Sequence, residues 1–447
     1  MGISLDLSLL TEILGQNLQR SPVDVVSSAV RNISTDTREI SAGDLFVALV
    51  GERFDGHDYV TQATAAGAIA VITSREIETD VPQWIVGDTL RAYQDIGHWW
   101  RKQVDIPIIG ITGSVGKTST KELIAGVLAT QGNVLKTEAN FNNEIGVPKT
   151  LLNLTKDHDF AVIEMAMRGK GEIARLAEIA VPTIGVITNV GTAHIGRLGS
   201  RQAIAEAKCE LLEFMPDTSV AILNGDDERL MATAKTVWSG HTLTYGLEQG
   251  ELQGEYDNAG TLTLGEQKFP VPLAGKHNAL NYLAALGIMQ VLNLGWTHLE
   301  EGISLSMPKG RSQQIQLANG VVLFDETYNA GVESMLAALD LLKNADGDRR
   351  IAVLGTMKEL GEFAEELHKK VGTRVEELQL DKLFVLADEP VAEAIATAAP
   401  KISSQCFTEH DSLITQLKSE LKSGDRVLFK ASNSVGLNRV VKALQEN

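Results

Sequence analysis

Apolar and polar positions along the chain alternate between short β-branched runs and longer stretches of helical period. That alternation predicts an α/β protein built on mostly parallel sheets. Runs at 45–51, 68–74 and 84–88 read as strands, with helices near 58–67 and 89–103 between and after them. Pro107 closes this first unit. The apolar run Ile106 to Ile111 then opens the longest alternating stretch, and it has the composition of a strand buried on both faces. Further strands are predicted at 158–167, from 183 and at 220–224, with helices over 200–215 and 272–292. Beyond a linker at Met307-Pro308-Lys309-Gly310-Arg311, strands at 321–326, 350–355, 382–388 and 426–432 predict a Rossmann-like, doubly wound unit. The expected domains are therefore 1–104, 105–308 and 309–447, the central one a P-loop type unit with a mostly parallel sheet.

Composition narrows the function. The chain has 447 residues, enough for several cores, and its 44% hydrophobic and 22% charged content is that of a globular protein. A formal net charge of −18 leaves no broad basic face for nucleic acid, although a small anion needs only a few local cations. The two cysteines, Cys209 and Cys406, do not suggest a disulfide framework and suit a reducing compartment. The amino terminus lacks a cationic leader, Asp6 stands where a myristoylation signal needs Ser or Thr, and no apolar run approaches the ~20 residues of a membrane span. A soluble, cytoplasmic protein is expected, acting on small molecules.

The chemistry centres on Gly113-Ser114-Val115-Gly116-Lys117-Thr118-Ser119, between the buried strand and a helix-forming run. Backbone N–H groups of such a turn and of the helix start point at phosphate, Lys117 reaches the outer phosphates, and the Thr118 hydroxyl suits magnesium. Only two residues separate the glycines, and Ile111 stands where the longer pattern has glycine. Asn140, Asn142 and Asn143 crowd one loop with donors and acceptors. Glu164 ends a strand beside the glycine loop, where a carboxylate can hold a metal. His194 follows another strand.

In the helix over 200–215, Lys208 completes the stripe of Ile204, Leu211 and Met215. Spacing leaves two readings open. A buried lysine would favour a neutral amine able to take up carbon dioxide as a carbamate, whereas one at the stripe's edge would reach solvent. Asn278 and Asn281 share a helix face and could read an adenine edge or cap the helix. Two clusters of the first unit, Thr35-Asp36-Thr37-Arg38 and GERFDGHDY at 51–59, fit either binding or plain turn chemistry. In the third unit Asp325, Glu326, Tyr328, Asn329, Thr356, Lys430 and Asn433 lie at or just beyond strand ends, where ligands of such folds sit.

Taken in order, GSVGKTS, NFNNEIGVP, the strand-end Glu164, GTAH, AEAK, GKHNALN, GRSQ and DETYNA resemble the Mur ligase family over essentially the whole chain. The resemblance implies three domains, holding in turn UDP, ATP and the incoming amino compound. It implies an ATP-dependent ligase that adds D-alanyl-D-alanine to UDP-N-acetylmuramoyl-tripeptide in peptidoglycan synthesis, acting as a monomer. It further implies two magnesium ions arranged by Thr118, Glu164, His194 and a carbamylated Lys208. Asn278 and Asn281 would lie near adenine, Arg311 near the phosphates, and Glu326 in the nucleotide site. The Asn140–Asn143 loop and Thr35 to Arg38 would meet the UDP-sugar-peptide. Tyr328, Asn329, Lys430 and Asn433 complete the substrate set, with Lys117, Lys208 and His194 as the catalytic group.

Three positions depart from the expected pattern. Glu326 stands for Asp, Gly331-Val332 for Asn-Pro, and Asn433 for the Arg of a Lys-Gly-Ser-Arg motif. The last removes a bidentate cation that could grip a carboxylate. Relatives that add a single amino acid usually carry an Asp-Asn-Pro-Arg motif, which is absent here, and folate-type relatives would lack the first hundred residues. Outside ligase chemistry, the same loop would serve a nucleotide-dependent switch.

Overall fold

The computed structural model describes residues 5–22, 28–257, 259–305 and 307–446. The first four residues, on which the reading of the amino terminus partly rests, lie outside that set. Three sheets carry the fold. The central one has seven parallel strands in the order Leu252–Gln253, His241–Gly246, Val220–Asn224, Ile184–Ile187, Ile108–Thr112, Phe160–Glu164 and Val134–Lys136. The strand Ile108–Thr112 is the switch point. The chain leaves it toward one edge for the next two strands, then returns to its other side. A crevice opens at such a point beyond the strands' carboxyl ends, and the glycine loop sits there. All five residues of this strand are buried, as its β-branched composition requires.

The third unit has a six-stranded sheet in the order Gln313–Gln316, Val322–Asp325, Asp425–Lys430, Arg349–Gly355, Lys382–Leu386 and Ser404–Phe407, antiparallel only at its first pair. The first unit has a five-stranded sheet in the order Leu18–Arg20, Gln83–Val86, Ala70–Thr73, Leu45–Val47 and Ile33–Ser34, and a separate antiparallel pair, Leu5–Asp6 with Ala29–Val30. The long β-branched strands fall where the apolar pattern puts them. The pattern does not predict the short edge strands Leu18–Arg20, Ile33–Ser34, Gln313–Gln316 and Ser404–Phe407, whose polar residues leave little apolar period to read.

The helix Thr89–Arg101 begins where Asp88 accepts from the amides of Leu90 and Arg91, which caps its first turn. It packs on the central unit as well as on its own. Trp100 donates its indole N–H to the Leu154 carbonyl at 3.0 Å, and the Arg101 guanidinium caps the carbonyls of Val104, Ala180 and Val181. Gly97 allows the contact, since a Cβ there would lie 3.1 Å from the Pro148 Cβ. One apolar cluster runs from Leu45 and Val86 through Ile163 and Leu212 to Leu354 and Leu383, so the three sheets share packing. Among the described residues no helix is long and apolar enough to cross a membrane.

Candidate active site

The glycine loop is held in shape from the neighbouring strand end. Ser114 N–H donates to the Asn189 carbonyl at 3.1 Å, Val115 N–H to Asn189 Oδ1 at 3.1 Å, and Thr188 Oγ1 to the Val115 carbonyl at 2.8 Å. A side chain at Gly113 would run into Thr188 Oγ1. Gly116 takes a left-handed φ of 83° directly before the helix Lys117–Leu128, a conformation glycine adopts without strain. The first amides of that helix are therefore presented to the cleft. Lys117 folds back so that Nζ donates to the Gly113 carbonyl at 2.8 Å. Desolvation lowers its pKa below the ordinary lysine value, an effect Glu164 opposes and the Arg311 charge reinforces.

Beside the loop, buried Glu164 ends its strand with both oxygens used. Oε2 accepts from Thr118 Oγ1 at 2.9 Å and Oε1 from Asn142 Nδ2 at 2.8 Å, while its amide donates to Thr137 Oγ1. Asn143 is tied to its own loop, where Oδ1 accepts from Gly146 N–H at 2.9 Å ahead of the helix Gly146–Leu151. Asn140 is exposed on the same rim.

His194 has a left-handed φ of 64°, rare for a residue with a side chain, and its Nδ1 lies 2.6 Å from Glu359 Oε2 of the third unit. Burial lowers its pKa, Glu359 raises it, and the charges of Lys117 and Lys208 lower it again. In the helix Arg201–Glu213, Lys208 is 1% exposed, on the same buried side as Ile204, Leu211 and Met215. Of the two readings that the spacing left open, burial holds: the lysine is inside. Its amine has no hydrogen-bond or ion-pair partner among the described residues. Burial first, and the Lys117 charge second, push its pKa well below 10.5.

Across the loop stands the helix Lys276–Val291. Asn281 faces the glycine turn: a Cβ on Gly116 would be 3.1 Å from its Oδ1. Asn278 Nδ2 donates to the Ala274 carbonyl at 2.8 Å, while its Oδ1 accepts from Asn281 Nδ2 at 3.3 Å. Arg311 stacks 4.0 Å over the Tyr328 ring, and its buried Nε has no partner among the described residues. Glu326 accepts from Ser312 N–H at 2.9 Å and lies 3.7 Å from Lys430, whose Nζ donates to the Asn329 carbonyl at 3.0 Å. Burial lowers the Lys430 pKa, against the pull of Glu326.

These groups line one cleft of about 1110 Å³ between the central and third units. It takes in the loop from Ser114 to Ser119, the three asparagines of the 140–143 loop, Glu164, His194 and Asn281. From the third unit and the linker it takes Arg311, Glu326, Tyr328, Asn329, Lys430 and Asn433. Gly113, Lys208, Asn278 and the cluster from Thr35 to Arg38 are not on its lining. Thr35 instead borders a separate pocket of about 110 Å³ with Glu39, Tyr93 and Lys149, where Lys149 and Glu39 bridge the first two units at 2.8 Å. Asp36 is held by Arg38 in a bidentate pair, which keeps its carboxyl pKa at about 2. In the second polar cluster, Asp55 holds the His57 ring and amide while His57 Nε2 accepts from Ser74 N–H, so these residues brace a turn.

The sequence reading missed Thr188, Asn189, His277, Glu333 and Glu359, which also border the cleft or shape its loop. His277 stands inside GKHNALN and Asn189 just ahead of GTAH, so both were within reach of the motifs. Glu333 and Glu359 carry no local signal.

Family comparisons match all three units. The Mur ligase family, catalytic domain model matches residues 29–96, the Mur ligase middle domain 111–289, and the Mur ligase, glutamate ligase domain 310–433. A UDP-N-acetylmuramoyl-tripeptide–D-alanyl-D-alanine ligase of Synechocystis sp. is 58% identical over 418 residues, covering 93% of this chain and 92% of that protein. The enzyme of the same name from Escherichia coli is 37% identical, covering 100% of this chain and 99% of its own. The crystal structure of MurF from Acinetobacter baumannii superposes with a TM-score of 0.91 at 30% identity, over the full length of both chains. MurF from Thermotoga maritima in complex with ADP gives 0.84 at 32% identity, over 93% of this chain and 97% of that one. With its glycine loop, strand-end acid and third-unit wall matched from end to end, the chain belongs to the Mur ligase family.

Proposed function

We propose that the chain is the ligase that joins D-alanyl-D-alanine to the peptide carboxylate of UDP-N-acetylmuramoyl-tripeptide, driven by ATP, in peptidoglycan precursor synthesis. The observation that carries this is the shared cleft in which the glycine loop faces the strand ends of the third unit. A phosphate cradle opposite a second binding wall suits transfer between bound reactants. The names of relatives at 58% and 37% identity supply the substrates. Units 1–104, 105–308 and 309–447 would hold the UDP-peptide, ATP and the dipeptide in turn. Thr35 to Arg38 and the small pocket at Lys149 would serve the first of these, in a cytoplasmic monomer.

In this reaction a terminal carboxylate oxygen of the tripeptide attacks the γ-phosphorus and ADP leaves, giving an acyl phosphate. The dipeptide amine then attacks the acyl carbon, loses a proton, and phosphate departs. Two anions must meet, so the cations of the cleft carry the work. Lys117 and Arg311, whose Nε lacks a protein partner, would neutralise phosphate oxygens. Asn281 would meet the nucleotide beside the glycine turn, and Tyr328, Asn329, Lys430 and Asn433 would seat the dipeptide. The third unit, closing over the cleft, would hold the groups in line and keep water from the acyl phosphate.

The donor set fits magnesium. Among the described residues no three His, Cys, Asp or Glu side chains form a metal group. Magnesium commonly takes only one or two protein carboxylates and completes its shell with phosphate and water. Thr118 and Glu164 offer hard oxygens, and His194 lines the same cleft; when bound, the ion would supply further charge neutralisation at the phosphoryl group. The buried amine of Lys208 would add to this as a carbamate, formed when its neutral nitrogen attacks carbon dioxide and releases a proton.

The test is phosphate release by the purified chain. Release that requires ATP, a UDP-muramoyl tripeptide and D-alanyl-D-alanine together supports the ligase, and release from ATP alone rejects it.

A further inference from the structure

One carboxylate of the cleft does no work in the reaction above. Glu333 lies in the first turn of the third unit's helix Val332–Asn344, and both of its oxygens reach into the central unit. Thr192 N–H donates to Oε1 at 2.9 Å and Thr192 Oγ1 to Oε2 at 3.1 Å. Only glycine admits this approach at position 191, where a Cβ would stand 2.6 Å from the Glu333 carboxyl carbon. Gly191 N–H in turn donates to Ser114 Oγ of the glycine loop at 2.8 Å, and Asn189 holds Val115. A run of four residues, 189 to 192, thus touches the phosphate cradle at one end and the third unit at the other. Close by, Gly196 N–H donates to the Glu359 carbonyl at 3.2 Å.

Two simpler roles for Glu333 do not fit. Its helix start is served by Ser334, whose Oγ accepts from Gly331 N–H at 3.1 Å. Nor does it stand as a free carboxylate awaiting the incoming ammonium group, because each oxygen already accepts a hydrogen bond from Thr192.

We infer that Glu333 is a positioning residue, a clasp that couples the seating of the third unit to the state of the glycine loop. A hydrogen-bonded carboxylate that exists only when the units are together stabilises that arrangement over the open one. Its partner segment is hydrogen-bonded to the loop that would hold the triphosphate. The inference rests on the ligase reading, and the chain's Gly331-Val332 in place of Asn-Pro leaves the helix start, and so the clasp, intact.

The experiment uses the full chain with a pair of dyes, one on the central and one on the third unit, together with steady-state phosphate release. Adding a non-hydrolysable ATP analogue should shorten the dye separation in the parent and leave it long in Glu333→Ala. The same variant should lose about tenfold in kcat/KM for D-alanyl-D-alanine, the weight of a hydrogen-bonded charge. Glu333→Gln, which keeps an accepting oxygen, should fall between the two and also serves if the alanine variant does not fold. Thr192→Ser, which keeps both donors, should behave as the parent. A Glu333→Ala chain that melts earlier but keeps both the dye response and kcat/KM would make the residue merely structural and overturn the inference. If instead the parent releases no phosphate with all three substrates, the ligase reading fails, and the dye response alone decides the clasp.

Discussion

Thr118 Oγ1 donates to Glu164 Oε2 at 2.9 Å, joining the first turn of the phosphate helix to the end of the adjacent strand. The contact holds a hydroxyl and a carboxylate side by side on the cleft lining, where both could face a hard cation. Glu164→Gln keeps the volume and an oxygen that can accept from Thr118, turns its new NH2 toward Asn142, whose amide must flip to present Oδ1, and removes the charge. The expected outcome is a rise of about tenfold or more in the magnesium concentration needed for half-maximal phosphate release. An unchanged magnesium titration would take Glu164 out of metal binding.

Lys117 is the cation nearest the loop, parked on the Gly113 carbonyl at 2.8 Å. A triphosphate in the cradle would draw it away from a neutral carbonyl toward an anion. Lys117→Ala should therefore lower turnover by about a hundredfold or more, as loss of a transition-state donor does. Rapid turnover by the variant would strike this residue from the mechanism.

For Lys208 the sign of a pH effect can be worked out. Its pKa in the folded chain lies well below 10.5, so over the interval between the two values the unfolded chain binds a proton that the folded chain does not. Stability then rises as pH climbs through that interval, and the burial penalty is greatest below the folded value. In buffer free of carbon dioxide, Lys208→Met should exceed the parent in Tm at neutral pH, with the margin shrinking toward pH 10.5. Bicarbonate should raise the parent alone. Lys208→Ala should lose most activity and regain part of it with a small carboxylate, and isotopically labelled bicarbonate should give a carbamate resonance in the parent only. Absence of that resonance in active enzyme rejects the modification.

What could be read from the sequence is what is local. Strand, glycine turn and helix follow one another within about twenty residues, so the cradle and Lys117 were legible from period and turn chemistry. Glu164 was legible too, because a parallel strand has only one carboxyl end. Lys208 was half legible: the stripe placed it, but only tertiary packing decides between burial and reach to solvent. Asn278 and Asn281 share a helix face and are hydrogen-bonded to each other, yet Asn281 alone stands against the glycine turn and lines the cleft, a difference that spacing does not carry. Glu333 and Glu359 were invisible because their partners, Thr192 and His194, lie more than a hundred residues away and meet them only when two units dock.

Docking also sets the stability of the first unit. The Arg101 guanidinium is buried and satisfies three carbonyls, those of Ala180 at 2.9 Å, Val104 at 2.9 Å and Val181 at 3.2 Å. Removing it strands these acceptors where water does not easily follow. Arg101→Met should cost about 3 kcal/mol in urea unfolding, the scale of unsatisfied buried groups. A loss near zero would mean that water enters the seam between the first two units.

Asn433 poses the sharpest question of specificity. It is exposed on the cleft wall, a few residues after buried Lys430, whose amine is already engaged by the Asn329 carbonyl and Glu326. Position 433 itself lacks the planar, bidentate cation that an Arg there would provide. If the dipeptide's free carboxylate lies against this wall, Asn433→Arg should lower KM for D-alanyl-D-alanine by about tenfold, the weight of a charged hydrogen bond. It should leave the C-terminal amide of the same dipeptide unaffected, because an amide offers the guanidinium no charge. A depsipeptide ending in lactate keeps the carboxylate and should gain as the dipeptide does, which separates recognition of the charge from recognition of the backbone N–H. Equal gains for acid and amide, or none for either, would place the carboxylate elsewhere in the cleft.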